Sequence, residues 1–364
     1  MRPSHELPRG ALGPTSRLCL ASLACVLSLV LSGVVATPAG AAAPRGIYWG
    51  AQIGDQMTGE AAPWDMRPVR RFQKIAGKSL SLIEFGSPFL ECKATICAPT
   101  KFPSTPLENV RSYGAIPLFS WSSGISPAGF DESALNLPSI LSGRYDAYIR
   151  EFAEKAKAWG HPFFLRFDWE MNGNWFPWSE EVNGNSPGQY VAVWRHVHDI
   201  FTSVGATNAT WVWCPNVDIG GGLAPLRPLY PGDSYVDWTC LDGFNWGKRR
   251  GSPGWLNFDE IFHSTYKQVT KIAPRKPMML AEFASTDRGG SKPAWIEDSF
   301  KRIRTSYPKI RGVVWFDVND RNTHWPIETS KSASAAFKRL IANPAYRPAE
   351  FGALSSSPIA PPSN

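Results

Sequence analysis

Phe164-Leu-Arg-Phe-Asp-Trp-Glu-Met-Asn-Gly-Asn-Trp-Phe-Pro-Trp178 decides how the rest of the chain is read. It begins as an apolar run and ends in a loop rich in Gly, Asn and Trp. At the joint stands Glu170. A carboxylate at the end of a buried strand is unfavourable unless chemistry or a partner requires it. The indoles of Trp175 and Trp178 follow at once. They offer flat apolar faces and N–H donors, the two features a sugar ring engages. Side chains alternate along a strand, so Arg166, Asp168 and Glu170 are expected on one side. Arg166 and Asp168 are read as an ion pair beneath a cleft, and Glu170 as its proton donor.

Seven further apolar runs of strand length repeat around this one. The full set is 46–50, 80–86, 115–121, 162–170, 210–215, 240–246, 277–283 and 312–318. Apolar residues recur at helical spacing in most of the gaps, over 144–159, 187–204, 258–272, 294–305 and 332–341. Ser186-Pro187 and Lys292-Pro293 read as helix starts. Eight strands alternating with helices predict an α/β fold, a single-domain (β/α)8 TIM barrel. An open doubly wound sheet would carry a Gly-rich phosphate turn after its first strand, and Gly50-Ala-Gln-Ile-Gly54 is not one. The stretches 87–113 and 122–143 are rich in Pro, Gly and Ser and read as long loops.

The chain has 364 residues and 43% hydrophobic content, enough to fill one barrel core. Its 16 Trp exceed what a soluble core ordinarily needs. Of the formal charge of +7, residues 1–43 contribute +2 through Arg2, Arg9, Arg17 and Glu6. The remainder is scattered, and Lys248-Arg249-Arg250 reads as a solvated loop, so nucleic acid is not an expected partner. Residues 1–42 read as a secretory signal: three Arg precede the apolar run 18–36, and small residues follow at 39–43. An uncleaved membrane anchor is the alternative. The barrel is expected over 43–343 and a Pro/Ser-rich tail over 344–364, its last dozen residues disordered. The mature protein is expected to be an extracellular monomer without stable membrane association.

Four cysteines remain after the signal: Cys92, Cys97, Cys214 and Cys240. An even number in an exported chain suggests two disulfides among three possible connectivities. Cys92 with Cys97 would close a short loop, and Cys214 with Cys240 would join neighbouring strands. No His stands at ligand spacing near them, and His196 and His198 face different sides of one helix, so no metal and no cofactor are expected.

The second carboxylate is Glu282, in Met278-Met-Leu-Ala-Glu-Phe-Ala284. It closes the seventh strand as Glu170 closes the fourth. In a barrel of eight these positions face each other across the mouth. Glycosidic bonds are cleaved by such a pair, one acid at the leaving oxygen and one carboxylate on the opposite face of the sugar.

These residues resemble glycoside hydrolase family 26, the β-mannanase and mixed-linkage β-glucanase family. The resemblance is carried by 166–178, by Gly143-Arg-Tyr-Asp-Ala-Tyr-Ile149, by Leu241-Asp-Gly-Phe-Asn-Trp246, by Lys276-Pro-Met-Met-Leu-Ala-Glu-Phe283 and by Val313-Val-Trp-Phe316. Tyr230-Pro-Gly-Asp233 and Tyr235-Val-Asp-Trp238 add to it. It implies a retaining enzyme with Glu170 as acid/base and Glu282 as nucleophile, their carboxyl groups about 5–5.5 Å apart. It implies β-1,4-mannan as the first substrate, with mixed-linkage or β-1,4-glucan close behind. Two positions depart from the family pattern: Trp169 stands where His is common, and Phe244 where a Tyr hydroxyl is common. Trp169, Asn172, Trp175, Trp178, Asp242, Phe244, Trp246 and Trp315 are the expected sugar contacts, with Trp315 flooring a subsite. The rival from another class is a non-hydrolytic carbohydrate-binding protein on the same barrel. A barrel enzyme acting on a non-carbohydrate would need a phosphate loop or metal ligands, and the sequence has neither.

Overall fold

A computed structural model describes residues 45–93, 96–127, 132–249, 251–319 and 323–363. The expected signal 1–42 and Arg250 of the basic run lie outside the described residues. The fold belongs to the unit Ala43–Asn364.

The strands are β1 Ile47–Ile53, β2 Leu82–Lys93, β3 Ile96–Pro99, β4 Ile116–Ser126, β5 Phe163–Phe167, β6 Ala209–Trp213, β7 Trp238–Asn245, β8 Met278–Ser285, β9 Ile310–Asp317 and β10 Tyr346–Arg347. The helices are α1 Arg67–Ala76, α2 Ser104–Tyr113, α3 Leu137–Leu141, α4 Asp146–Trp159, α5 Gln189–Val204, α6 Phe258–Ile272, α7 Lys292–Thr305 and α8 Lys331–Ile341. Eight strands pair in parallel in the order β1-β2-β4-β5-β6-β7-β8-β9, and β9 returns to β1. The sheet is therefore a closed (β/α)8 barrel, as the eight apolar runs predict. Closure needs Gly50: a Cβ there would lie 1.9 Å from the Leu82 carbonyl oxygen.

Both faces of each barrel strand are buried, which is why the strands read as near-continuous apolar runs. On one face Tyr48, Leu82, Leu118, Phe164, Val212, Met279 and Val314 fill the barrel interior. On the other Trp49, Phe119, Phe163, Leu165, Phe283 and Trp315 pack in the larger core with the helices. The helix ends are set locally. Asn257 and Glu260 form a reciprocal capping box on α6, and Ser291 and Ser330 cap α7 and α8.

Three expectations change. The stretch 87–113 is not one loop: β2 runs on to Lys93, turns into an antiparallel hairpin with β3, and α2 follows. Cys92 and Cys97 are bonded across that hairpin, and Cys214, just past the end of β6, is bonded to Cys240 of β7. Second, α3 interrupts the other expected loop. Third, the tail is placed rather than disordered. Its Pro/Ser composition suits an extended strap, and side chains from the strand starts satisfy the strap's backbone. Trp238 Nε1 donates to the Ile359 carbonyl at 2.7 Å, Thr210 Oγ1 accepts from the Ile359 N–H at 2.9 Å, and Tyr48 Oη donates to Ala360 at 2.9 Å. Ile359, 2% exposed, joins the barrel-interior cluster from the end opposite the strand C-termini. Among the described residues no helix is long and apolar enough to cross a membrane.

Candidate active site

The strand β5 stops at Phe167, one step before the alternation would place Asp168 beside Arg166. Asp168 has φ +41° and Glu170 φ +54°, left-handed values that are unfavourable for residues with a Cβ. The turn is held from both neighbours. Asp168 N–H donates to the Trp121 carbonyl at 3.1 Å and Glu170 N–H to the Cys214 carbonyl at 2.7 Å. The Asp168 carboxyl accepts from the Ser123 N–H and hydroxyl, both at 2.7 Å. The expected Arg166–Asp168 pair is thus replaced by an Asp168–Ser123 clasp. Burial pushes the Asp168 carboxyl up to about 7, against the pull of those two donors.

The clasp presents Glu170 to the cleft. Its Oε1 accepts from Asn216 Nδ2 at 2.6 Å and its Oε2 from Trp175 Nε1 at 2.7 Å. Burial, reinforced by the charge of Glu282, pushes this carboxyl up to about 7, while Arg166 and the two donors pull it back. Glu170 therefore holds a proton near neutrality and can release it.

Glu282 comes from β8, where the register with β7 shifts between Leu241 and Asp242 and sets Asp242 opposite Glu282. Such irregularities re-aim side chains at barrel rims. Its Oε1 accepts from Arg166 at 2.8 Å. The buried Arg166 guanidinium also meets Glu84 at 2.7 Å, Asp242, and the Ser120 hydroxyl at 3.1 Å. Its Cζ lies 4.7 Å from the Trp169 ring centroid. Burial alone would lower the Arg166 pKa, but Asp242, Glu282 and Glu84 together raise it. One cation serves three carboxylates. Burial pushes Glu84 up to about 8 and Asp242 well above the usual carboxylate range, each against the pull of Arg166. Burial thus favours the protonated form of the two carboxyls that share Arg166 with Glu282, while Arg166 opposes it.

Glu170 and Glu282 line one cleft of about 890 Å3 with Trp169, Trp175, Phe176, Trp178, Phe244, Trp246, Phe316 and Trp325. Trp175 is 47% exposed and is tied to Glu170 through its N–H. Trp178 is 3% exposed. It stacks on Phe176 at 4.4 Å and 13°, so it backs the wall more than it faces solvent. Phe244 meets Phe316 edge-on at 5.4 Å, and Trp246 lies 4.9 Å from Trp325. Three expected sugar contacts do not reach the cleft. Trp315 is fully buried on the helix-facing side of β9, with its N–H on the Trp325 carbonyl at 3.0 Å. Asp242 lies beneath the floor on Arg166. Asn172 is 2% exposed and clamps the Asn216 backbone, accepting at 2.8 Å and donating at 2.9 Å. It positions the residue that holds Glu170.

Sequence reasoning missed Asn216, Glu84, Phe316 and Trp325. Glu84 carried a signal, an acid inside the apolar run 80–86. Asn216 carried none, since Asn after Pro is ordinary loop chemistry.

The model of Glycosyl hydrolase family 26 matches residues 123–341. Endoglucanase H of Acetivibrio thermocellus is 34% identical over 319 residues, 86% of this chain and 32% of that protein, so the chain spans about a third of its length. A mannan endo-1,4-beta-mannosidase of Bacillus subtilis is 23% identical over 213 residues, 56% of this chain and 51% of that protein. Among solved structures, a modular endo-beta-1,4-mannanase from Cellulomonas fimi superposes with a TM-score of 0.63 at 18% identity, covering 85% of this chain and 74% of the other. The catalytic domain of the Bacillus sp. JAMB-750 endo-beta-1,4-mannanase gives 0.63 at 15% identity, covering 84% and 88%. At those identities the superpositions speak to the barrel fold, and the family match speaks to descent: the chain belongs to glycoside hydrolase family 26.

Proposed function

We propose that the protein is a retaining endo-β-glycanase with Glu170 as acid/base and Glu282 as nucleophile. The observation that carries this reading is the unequal setting of two carboxyls in one cleft. Glu170 is nine-tenths buried, doubly hydrogen-bonded and protonated near neutrality, while Glu282 lies on the Arg166 cation. In the first step Glu282 attacks the anomeric carbon as Glu170 protonates the departing glycosidic oxygen. The glycosyl ester that forms has no charge on Glu282. That removes the electrostatic push on Glu170, whose carboxylate then takes a proton from water as the ester is cleaved.

The sequence alone puts β-1,4-mannan first. The higher identity to an endoglucanase than to the Bacillus mannosidase moves β-1,4- or mixed-linkage glucan ahead. Trp169 and Phe244 replace polar groups common at the centre of the family's site, so recognition of the sugar there differs from the family pattern. Mannan is the second reading, favoured by the family and by the Bacillus match. Two disulfides fit an oxidising compartment and hence an exported protein.

The test is release of reducing ends from lichenan, carboxymethyl-cellulose, mannan, galactomannan and xylan. Cleavage of a β-glucan, lost in both Glu170→Ala and Glu282→Ala, supports the proposal. Near-parental turnover in either variant refutes the assignment, and no release from any polymer favours a non-hydrolytic binding protein.

A further inference from the structure

Among the described residues the exposed large apolar side chains are Trp64, Ile96 and Trp175. Trp175 belongs to the catalytic cleft. Trp64 and Ile96 line a second depression beside it, and Gly86, Ser87, Pro88 and Ser126 wall both. Gly86 and Trp64 also border a third, smaller depression at the end of β1. The three adjoin through these shared lining residues at the C-terminal ends of the first barrel strands. Exposed aromatic surface confined to the continuation of a sugar cleft calls for an occupant.

We propose that the groove beyond Gly86 is a distal sugar-binding subsite, floored by Trp64 and walled by the disulfide-closed β2–β3 hairpin. It holds units of the same glycan chain that is cut between Glu170 and Glu282. The proposal rests on the glycanase reading above.

Trp64 is built as a platform. Its ring stands edge-on to Phe85 at 5.5 Å and 85°, which fixes its tilt while leaving it 54% exposed. Its loop is pinned just before the indole, by the Ala62 N–H on the Ile53 carbonyl at 3.2 Å and by Asn109 Nδ2 on the Pro63 carbonyl at 3.0 Å, and just after it by the Asp65 N–H on the Ala61 carbonyl at 3.3 Å. A rigid indole loses little conformational freedom when a sugar ring settles on it. The hairpin carries Cys92 bonded to Cys97 one residue beyond the Glu91–Ser126 pairing of β2 with β4, so a covalent closure sits next to Ile96 in the groove lining. The wall offers Glu91, Lys93 and Lys101, both charge signs together, which suits a neutral polyhydroxylated chain better than a charged polymer. Binding several units away from the cleaved bond would let remote contacts contribute to turnover of long chains and not of short ones.

The experiment compares kcat/KM on cellohexaose, mannohexaose and a mixed-linkage β-1,3-1,4-glucohexaose with kcat/KM on the matching 4-nitrophenyl disaccharides, for the parent, Trp64→Ala, Trp64→Phe and Ile96→Ser. The ratio of long to short substrate is expected to fall about tenfold in Trp64→Ala, the size of one lost aromatic contact. Trp64→Phe is expected to keep most of the ratio, and Ile96→Ser to lower it about twofold to threefold, the share of rather less than one fully buried methylene. An unchanged ratio in Trp64→Ala overturns the proposal, as does an equal fall on both substrates. Turnover of neither substrate by the parent overturns the glycanase reading instead.

Discussion

Asn216→Ala isolates the control of the proton on Glu170. Asn216 Nδ2 donates to Glu170 Oε1 at 2.6 Å, and Asn172 fixes the backbone that carries this donor. Donation stabilises the carboxylate more than the carboxylic acid. A hydrogen bond to a charged group contributes about 1.5–3 kcal/mol and one to a neutral group about 0.5–1.5 kcal/mol. The difference, about 1 kcal/mol, corresponds to about 0.7 of a pH unit. Without the donor the anion is less favoured, so the Glu170 carboxyl rises from about 7. The alkaline limb of kcat/KM on an oligosaccharide should therefore move upward by about 0.7 of a pH unit. Turnover at the plateau should fall about tenfold as the acid loses orientation. The assay is kcat/KM from acid to alkaline pH on cellohexaose or lichenan, parent against variant. A limb that stays in place or moves downward refutes the reasoning, because some other group would then set it. Trp175→Phe removes the second donor and should move the limb in the same direction.

Glu84→Gln tests the burial-raised carboxyl that shares Arg166 with Glu282. The folded-state pKa, about 8, lies above the ordinary 4.5, so the folded chain binds a proton that the unfolded chain releases. That contribution to stability is complete below about 4.5 and is lost as pH rises through about 8. Unfolding in urea at pH 5 and pH 8 should show the parent losing more stability across the interval than Glu84→Gln; equal losses would contradict the assignment. Ile359→Ala empties a buried position at the far end of the barrel and should lower unfolding free energy by about 2–4 kcal/mol. KM should be unchanged, since Ile359 is remote from the cleft, and a change in KM with unchanged stability would contradict the tail's structural role.

The barrel and its two opposed carboxyls were legible in the sequence because both are local signals. Each strand is an apolar run, and a Glu at the end of such a run stands out against it. What failed depended on the phase of a strand. Val313-Val-Trp-Phe316 can be read in either alternation, because a parallel barrel strand is buried on both faces. The fold chooses Val314 inward and Trp315 outward, so the expected sugar platform packs against Phe283, Trp295 and Phe337. Asp168 failed for a related reason: β5 ends one residue too early for the alternation to hold. The strap over residues 346–363 was illegible because its order comes from Tyr48, Thr210, Trp238 and Arg311, all distant in sequence. Asn216 likewise acquires its role only when β6 and β5 lie side by side.

The central claim is that Glu282 forms a covalent bond to the sugar while Glu170 manages the proton. The most direct measurement is trapping with a 2-deoxy-2-fluoro disaccharide carrying a good leaving group, followed by mass analysis of the intact protein and of its peptides. The account predicts one sugar per chain, attached to Glu282. A label on any other side chain, or turnover of the reagent with no labelled protein at any time, would contradict it.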